Sequence, residues 1–275
     1  MIAQVMAIVN RTPDSFYDRG ATFDLTPALQ RCDDVIADGA SIIDIGGVKA
    51  GPGTGVGAAE EAERVVPVIK AVAERHPEVT ISVDTWRAEV AEAAIAAGAG
   101  LINDTWAGWD PELVEVAGHH KVGYVCSHTG GATPRTRPYR VHYDDVVSDV
   151  IAETTRLAQN ALNAGVPGDR IFIDPTHDFG KNTFHGLELL RRVDELVATG
   201  WPVLMALSNK DFVGETVGRP VGQRLFGTLA ATAFAAERGV AAFRVHEVAP
   251  TVDVLRMVAA IQGIEAPLET IRGLA

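Results

Sequence analysis

Cysteine is almost missing from this chain. Two residues, Cys32 and Cys126, in 275 cannot build a disulfide framework, and two reduced thiols in a cytoplasmic protein are the expectation. Basic charge is also short: 24 Lys and Arg stand against 36 Asp and Glu, a formal charge of −12. A general nucleic-acid binder needs a basic face to displace counterions, so no nucleic-acid partner is expected. A local cationic cluster for a small anion is still compatible with this charge. No stretch reaches the ~18 apolar residues of a membrane span, so no membrane partner is expected either. The apolar start, MIAQVMAIVN, lacks the basic region and cleavage site of a signal peptide and reads as a first strand. Cys/His spacing of the kind that binds structural zinc is absent. What is there is 47% hydrophobic and 22% charged, the balance of an ordinary globular chain.

Eight short runs, apolar at both parities, predict parallel strands covered on both faces: Val5–Val9, Ser41–Ile45, Thr80–Val83, Gly100–Ile102, Val122–Cys126, Ile171–Ile173, Val203–Ala206 and Ala242–Val245. Helical periodicity fills the gaps. Pro27–Ala37 follows Thr26 as cap, and Ala58–Glu74 carries Val65, Val68, Ile69 and Val72 on one face. Further helices are predicted over Trp86–Ala97, Pro111–His119, Asp144–Ala164, Phe184–Thr199, Arg224–Arg238 and Thr251–Ile261. Eight strand–helix units predict a single-domain (β/α)8 barrel, a TIM barrel, over residues 1–275. The open doubly wound sheet needs a Gly-rich turn after the first strand, and Asn10-Arg11-Thr12-Pro13-Asp14 has none.

Several short motifs mislead. Gly51–Gly57 is glycine-rich without the dinucleotide spacing and predicts a lid. Asp178-Phe179-Gly180 lacks the companion motifs of a kinase. The lysine of Gly180-Lys181-Asn182-Thr183 is not followed by Ser or Thr, so this is not a Walker loop.

A barrel places function at the C-terminal ends of its strands, and here all eight predicted strands end in polar groups. Asp44 and Asp104 are expected to serve caps and turns. Asp84, Asn103 and Asp174 offer the acceptors and amide donor that read the edge of a flat heterocycle. Lys210, Arg244 and His246, from the last two units, offer cations where barrels commonly bind phosphate. A ligand with a heterocycle at one end and a phosphate at the other follows.

These blocks resemble one family. Asn10-Arg11-Thr12-Pro13-Asp14-Ser15-Phe16, Ile43-Asp44-Ile45-Gly46-Gly47, Ser82-Val83-Asp84-Thr85, Ile102-Asn103-Asp104, Ile173-Asp174-Pro175, Phe179-Gly180-Lys181, Ser208-Asn209-Lys210 and Arg244-Val245-His246 resemble, in order, the blocks of dihydropteroate synthases. That family joins a dihydropterin diphosphate to p-aminobenzoate with loss of diphosphate, on the same barrel. The resemblance implies that Asp84, Asn103, Asp174, Lys210 and Phe179 surround the pterin. It implies Arg244 and His246 at the diphosphate, Ser208 on the acceptor side, and Asn10 as ligand to a Mg²⁺ cofactor. It also implies lid loops carrying Arg11, Thr12, Asp14, Lys49 and Gly51, sulfa-type analogues as further ligands, and a homodimer.

The loops depart from the family pattern. Gly46-Gly47-Val48-Lys49-Ala50-Gly51 replaces Gly-Gly-Glu-Ser-Thr-Arg, so Gly51 stands where the family has an arginine. Asn209 replaces an arginine and Asp211 a serine. The heterocycle end is nearly intact while the acceptor side is altered. This pattern resembles a divergent second copy with weak or lost condensation activity. The alternative is a competent synthase that uses Arg11, Arg19 and Lys49 in place of the missing arginine. A pterin-dependent methyltransferase on the same barrel would not need the cations at Lys210 and Arg244, and a non-enzymatic partner role is the remaining reading.

Overall fold

A computed structural model describes residues 2–13, 20–136 and 142–272. Asp14 and Arg19, placed above on the first lid, lie outside them. Among the described residues eight strands form one parallel sheet: β1 (Gln4–Asn10), β2 (Ile42–Gly46), β3 (Thr80–Asp84), β4 (Leu101–Asp104), β5 (Gly123–Ser127), β6 (Ile171–Asp174), β7 (Leu204–Met205) and β8 (Ala242–Val245). Their order, β6-β5-β4-β3-β2-β1-β8-β7, follows the chain around a barrel. The seam between β6 and β7 is joined by the bridge Ile173–Val203, where the Ile173 amide donates to the Pro202 carbonyl at 2.9 Å. The expected (β/α)8 architecture is present.

Ten helices return the chain: α1 (Leu25–Ala37), α2 (Ala58–Arg75), α3 (Ala88–Ala96), α4 (Glu112–His120), α5 (Val146–Ala164), α6 (Thr183–Arg191), α7 (Val193–Val197), α8 (Asp211–Val217), α9 (Leu225–Glu237) and α10 (Val248–Ile261), counted among the described residues. Four differ from the sequence reading, α10 among them, which starts at Val248 rather than Thr251. The first helix starts before Thr26, with Asp24 at its N-cap. The helix expected over Phe184–Thr199 breaks at Arg192, whose backbone leaves the helical region. The short α8 was not expected. It carries a glycine and three β-branched residues in seven positions, which hides its period.

Inward positions stack in layers. Met6, Ile42, Leu101, Val125, Phe172, Leu204 and Ala242 form a dry plug in the lower barrel. Outward positions such as Ala7, Ile43, Ile81, Ile102 and Phe243 are buried in a second cluster shared with the helices. One strand repeat above the plug, inward residues turn polar: Asp44 follows Ile42, Asn103 follows Leu101, Asp174 follows Phe172 and Arg244 follows Ala242. The alternation that seals the bottom therefore opens a polar floor at the top.

Candidate active site

The floor is an ion-pair network built across the barrel. Arg244 donates from Nε to Asp44 Oδ2 at 2.6 Å and from Nη2 to Asp84 Oδ2 at 2.8 Å. Asp44 also accepts from the Ser82 hydroxyl at 2.6 Å and from the Asn103 amide at 3.1 Å. Asp84 accepts a further bond from Thr105 Oγ1 at 2.8 Å. Asp44 is thus no cap or turn residue: it is fully buried and anchors the arginine. Asp104 does serve its loop, accepting from the Trp106 and Gly108 amides and from the Tyr124 hydroxyl. Burial pushes the Asp84 carboxyl up, against the pull of Arg244. It pushes Asp174 up to about 6, against a bond from the Thr176 amide.

Above this floor lies a cavity of about 280 Å³. Of the residues singled out in the sequence, Asn10, Thr12, Lys49, Gly51, Asp84, Phe179, Ser208, Lys210, Arg244 and His246 line it. Asn103 and Asp174 do not. They are buried beneath it, Asn103 spending its amide on Asp44. Arg11 is also displaced from its expected role on a lid: it is buried, with Nε donating to the Arg64 carbonyl of α2 at 2.9 Å. Burial lowers the pKa of its guanidinium. A larger cavity, about 720 Å³, lies beyond Trp106 and is lined by His128, Tyr143 and Asp149. None of the polar floor residues reaches it.

The cationic side is narrower than the sequence suggests. Burial beside Arg244 and Lys210 lowers His246 to about 3, so it enters as a neutral imidazole rather than a cation. Lys210 pairs with Asp178 at 3.1 Å and lies 6.0 Å from the centre of the Phe179 ring. Ser208 gives its one O–H to Glu247 Oε2 at 2.8 Å and accepts from the His246 amide at 3.2 Å. Asn209 donates to the other oxygen of Glu247 at 2.8 Å. Asn209 has φ of 58°, a left-handed conformation that asparagine tolerates. Asp211, where the family pattern has serine, turns to Arg224 at 2.9 Å. Asp44 and Glu247 are the site residues that sequence reasoning missed. Inward parity two residues after Ile42 was the available signal for Asp44.

The lid over the cavity is pinned at both ends. Arg64 donates to the Gly47 carbonyl at 2.8 Å, and Arg87 donates to the Val56 carbonyl at 2.8 Å while pairing with the buried Glu61. Between these pins, Ala50 and Gly51 face the cavity without a polar side chain.

A metal here would have little protein to hold it. Among the described residues no group of three His, Cys, Asp or Glu could bind an ion. Asn10 supplies a neutral amide oxygen at the cavity wall. Mg²⁺ keeps several waters and is commonly bound through one or two protein oxygens plus substrate phosphates. The donor set suits an ion that arrives with a diphosphate and does not suit a permanent protein cage.

Comparison with known proteins agrees with this geometry. The family model for pterin binding enzymes matches residues 6–246. A Mycobacterium leprae protein named inactive dihydropteroate synthase 2 is 61% identical over 275 residues, covering 98% of this chain and 94% of that protein. A Haemophilus influenzae dihydropteroate synthase is 38% identical, covering 93% of each. The Xanthomonas albilineans dihydropteroate synthase solved with 4-aminobenzoic acid superposes with a TM-score of 0.87 at 39% identity, covering 96% and 94% of the two chains. The Yersinia pestis enzyme, solved with a sulfonamide drug, gives 0.90 at 35% identity, covering 96% and 95%.

Proposed function

This chain belongs to the pterin binding enzyme family, as a relative of the dihydropteroate synthases, and from that premise we propose that it binds a dihydropterin diphosphate while condensing it with p-aminobenzoate weakly or not at all. One contrast carries the reading. The ring-end network of Asp84, Arg244, Asp44 and Asn103 is complete, while the lid opposite presents Ala50 and Gly51.

Asp84, held by Arg244, accepts from the N–H edge of the ring, and Lys210 donates to its acceptors. Asp174, beneath the cavity, adds negative potential under the electron-poor methylene that forms as the C–O bond to diphosphate breaks. His246 and the outer face of Arg244 meet the departing diphosphate, which leaves with the electron pair. Asn10 would hold a Mg²⁺ brought with the substrate, and such an ion would supply charge neutralisation on that leaving group. The amine of the acceptor then forms the C–N bond and gives up a proton, so no protein nucleophile is involved.

The acceptor side is where this chain is weak. Ser208 has no proton left for a carboxylate, and Lys210 is shared with Asp178. A missing charged donor to a developing anion costs about 2–4 kcal/mol in the transition state. Lys49 lines the cavity and is the observation behind the second reading, a competent synthase with a relocated cation.

Calorimetric titration with the pterin diphosphate, with and without Mg²⁺, tests the binding half. Tight, Mg²⁺-dependent binding is expected, and no binding overturns it. Turnover with p-aminobenzoate separates the two readings: ordinary enzyme rates establish the competent synthase. The variant Gly51→Arg is expected to raise a weak rate at least tenfold. Among the described residues a Cβ there meets only Lys49 Cε, at 4.0 Å, so a side chain can start there without a clash. An unchanged rate removes the loop argument.

A further inference from the structure

Lys181 has a place in this structure that its sequence motif did not reveal. It is buried beneath the loops that follow β5 and β6. Its Nζ donates to the carbonyls of His128 at 3.0 Å, Thr176 at 3.2 Å and Phe179 at 3.0 Å, and lies 2.8 Å from His128 Nδ1. His128 Nε2 lies 2.7 Å from Asp149 Oδ1 on α5. The protons can be placed. An ammonium has three N–H groups and no acceptor, so one N–H is shared among the four partners, Nδ1 accepts, and the His128 proton sits on Nε2 and points to Asp149. One side chain thereby ties the β5 loop to both ends of the β6 loop.

The β6 loop needs such a tie. It leaves the buried Asp174, bends through Thr176 at a φ of 48°, and must deliver Phe179 to the cavity wall. Thr176 donates back to the Asp174 carboxylate, and the Phe179 amide donates to the Thr176 carbonyl at 3.1 Å. Phe179 then meets the edge of Trp106 with ring centres 4.8 Å apart. Its neighbour Asp178 pairs with Lys210. Two elements of the cavity, an aromatic wall and the partner of its lysine, therefore hang on the carbonyls that Lys181 holds.

We propose that Lys181 is a positioning residue for the pterin cavity, its ammonium group fixing Phe179 and Asp178 in place without touching the ligand. The ligand part of this rests on the reading of the preceding subsection. A ligand-free readout keeps the two separable.

The arrangement has a pH signature. Burial lowers Lys181 to about 7, against the pull of Asp174 on β6, Asp149 on α5 and Asp178 on its own loop. Among the described residues His128 and His177 also face it, and burial holds them at about 4 and about 3, so both are neutral when Lys181 titrates. Loss of the proton leaves two N–H groups for four acceptors and removes the charge from every bond. Phe179 then loosens against Trp106 as pH rises.

The test begins with tryptophan fluorescence of the ligand-free protein between pH 6 and 9. A transition with a midpoint near 7 is expected in the wild type, and its absence overturns the proposal. The transition should vanish in Lys181→Met and in Trp106→Phe. If Lys181→Met does not fold, His128→Gln takes its place. That variant removes the ring acceptor but leaves the three carbonyls, and a midpoint identical to wild type counts against the network. Calorimetry with the pterin diphosphate at pH 6.5 supplies the second arm. Lys181→Met should bind at least tenfold more weakly than wild type, and should lose the wild-type difference between pH 6.5 and 8.5. A folded Lys181→Met with wild-type affinity overturns the positioning role. Failure of both proteins to bind while the fluorescence arm holds overturns the ligand assignment alone.

Discussion

His177 is the residue at which this chain spends stability most visibly. It is buried against Phe212, with ring centres 5.1 Å apart, and among the described residues neither ring nitrogen has a protein hydrogen-bond partner. Burying such groups without a partner costs about 1–3 kcal/mol. His177→Phe keeps the stacked ring and is expected to raise unfolding free energy by about that amount at pH 7, read by urea denaturation. The same substitution should change the acid limb. Burial lowers His177 from 6.5 to about 3, so between these values the unfolded chain binds a proton that the folded chain refuses. Stability therefore falls as pH drops from 6.5 toward 3, by about 2 kcal/mol at pH 5 for this one group. His177→Phe should lose less stability than wild type between pH 7 and pH 5, and an equal loss in both proteins refutes the assignment. The Arg244 network differs in kind, because each of its buried charges has a partner. The identities of its members were legible from strand ends, but their pairing was not: Arg244 and Asp44 are 200 positions apart in the chain, and only barrel closure brings them to 2.6 Å.

The elements that hold the site are set by close approaches that only glycine permits. At Gly118, near the end of α4, an added Cβ would lie 2.0 Å from the Ala164 carbonyl at the end of α5. The two helices must separate to admit it, and α5 carries Asp149, the partner of His128. Gly118→Ala is expected to destabilise by about 3 kcal/mol, the upper range for overpacking. Gly100→Ala is the control: a Cβ there meets nothing within 4 Å, so its thermal midpoint should move far less. Similar costs in both variants would show that packing at the helix crossing is not the cause. Long helices with clean periodicity, such as α2 and α5, were legible in the sequence to within two residues. The break at Arg192 and the seven-residue α8 were not. The break follows competing partners, since Arg192 bonds both Asp145 and Glu195. In α8 the packing of Phe212 and Val213 outweighs poor local propensity.

At the scale of the whole molecule, one face is left apolar. On α9, Thr228, Thr232 and Ala235 pack inward, while Phe226 is 85% exposed and Phe234 also reaches solvent. A groove between α6, α8 and α9, lined by Leu187, Leu190, Val213, Val217 and Phe234, continues this surface. The homodimer that the family resemblance implies would cover this face, since contiguous exposed apolar residues mark association sites. Light scattering should give twice the chain mass, and Phe226→Glu should halve it; a wild-type monomer refutes that expectation. No helix among the described residues is long and apolar enough to cross a membrane. The amino-acid sequence by itself determined the barrel, because parity, period and turn chemistry are local and repeat eight times. It also determined the polar residue at each strand end, and the loss of a side chain at Gly51. Tertiary structure alone decided which of those polar groups line the cavity. It kept Asn103 and Asp174 in the floor beneath the cavity, turned Arg11 toward α2, made His246 neutral and put Lys181 under the wall. Each outcome depends on burial and on partners from distant strands, and low dielectric and pairing act through distances that a linear order does not contain.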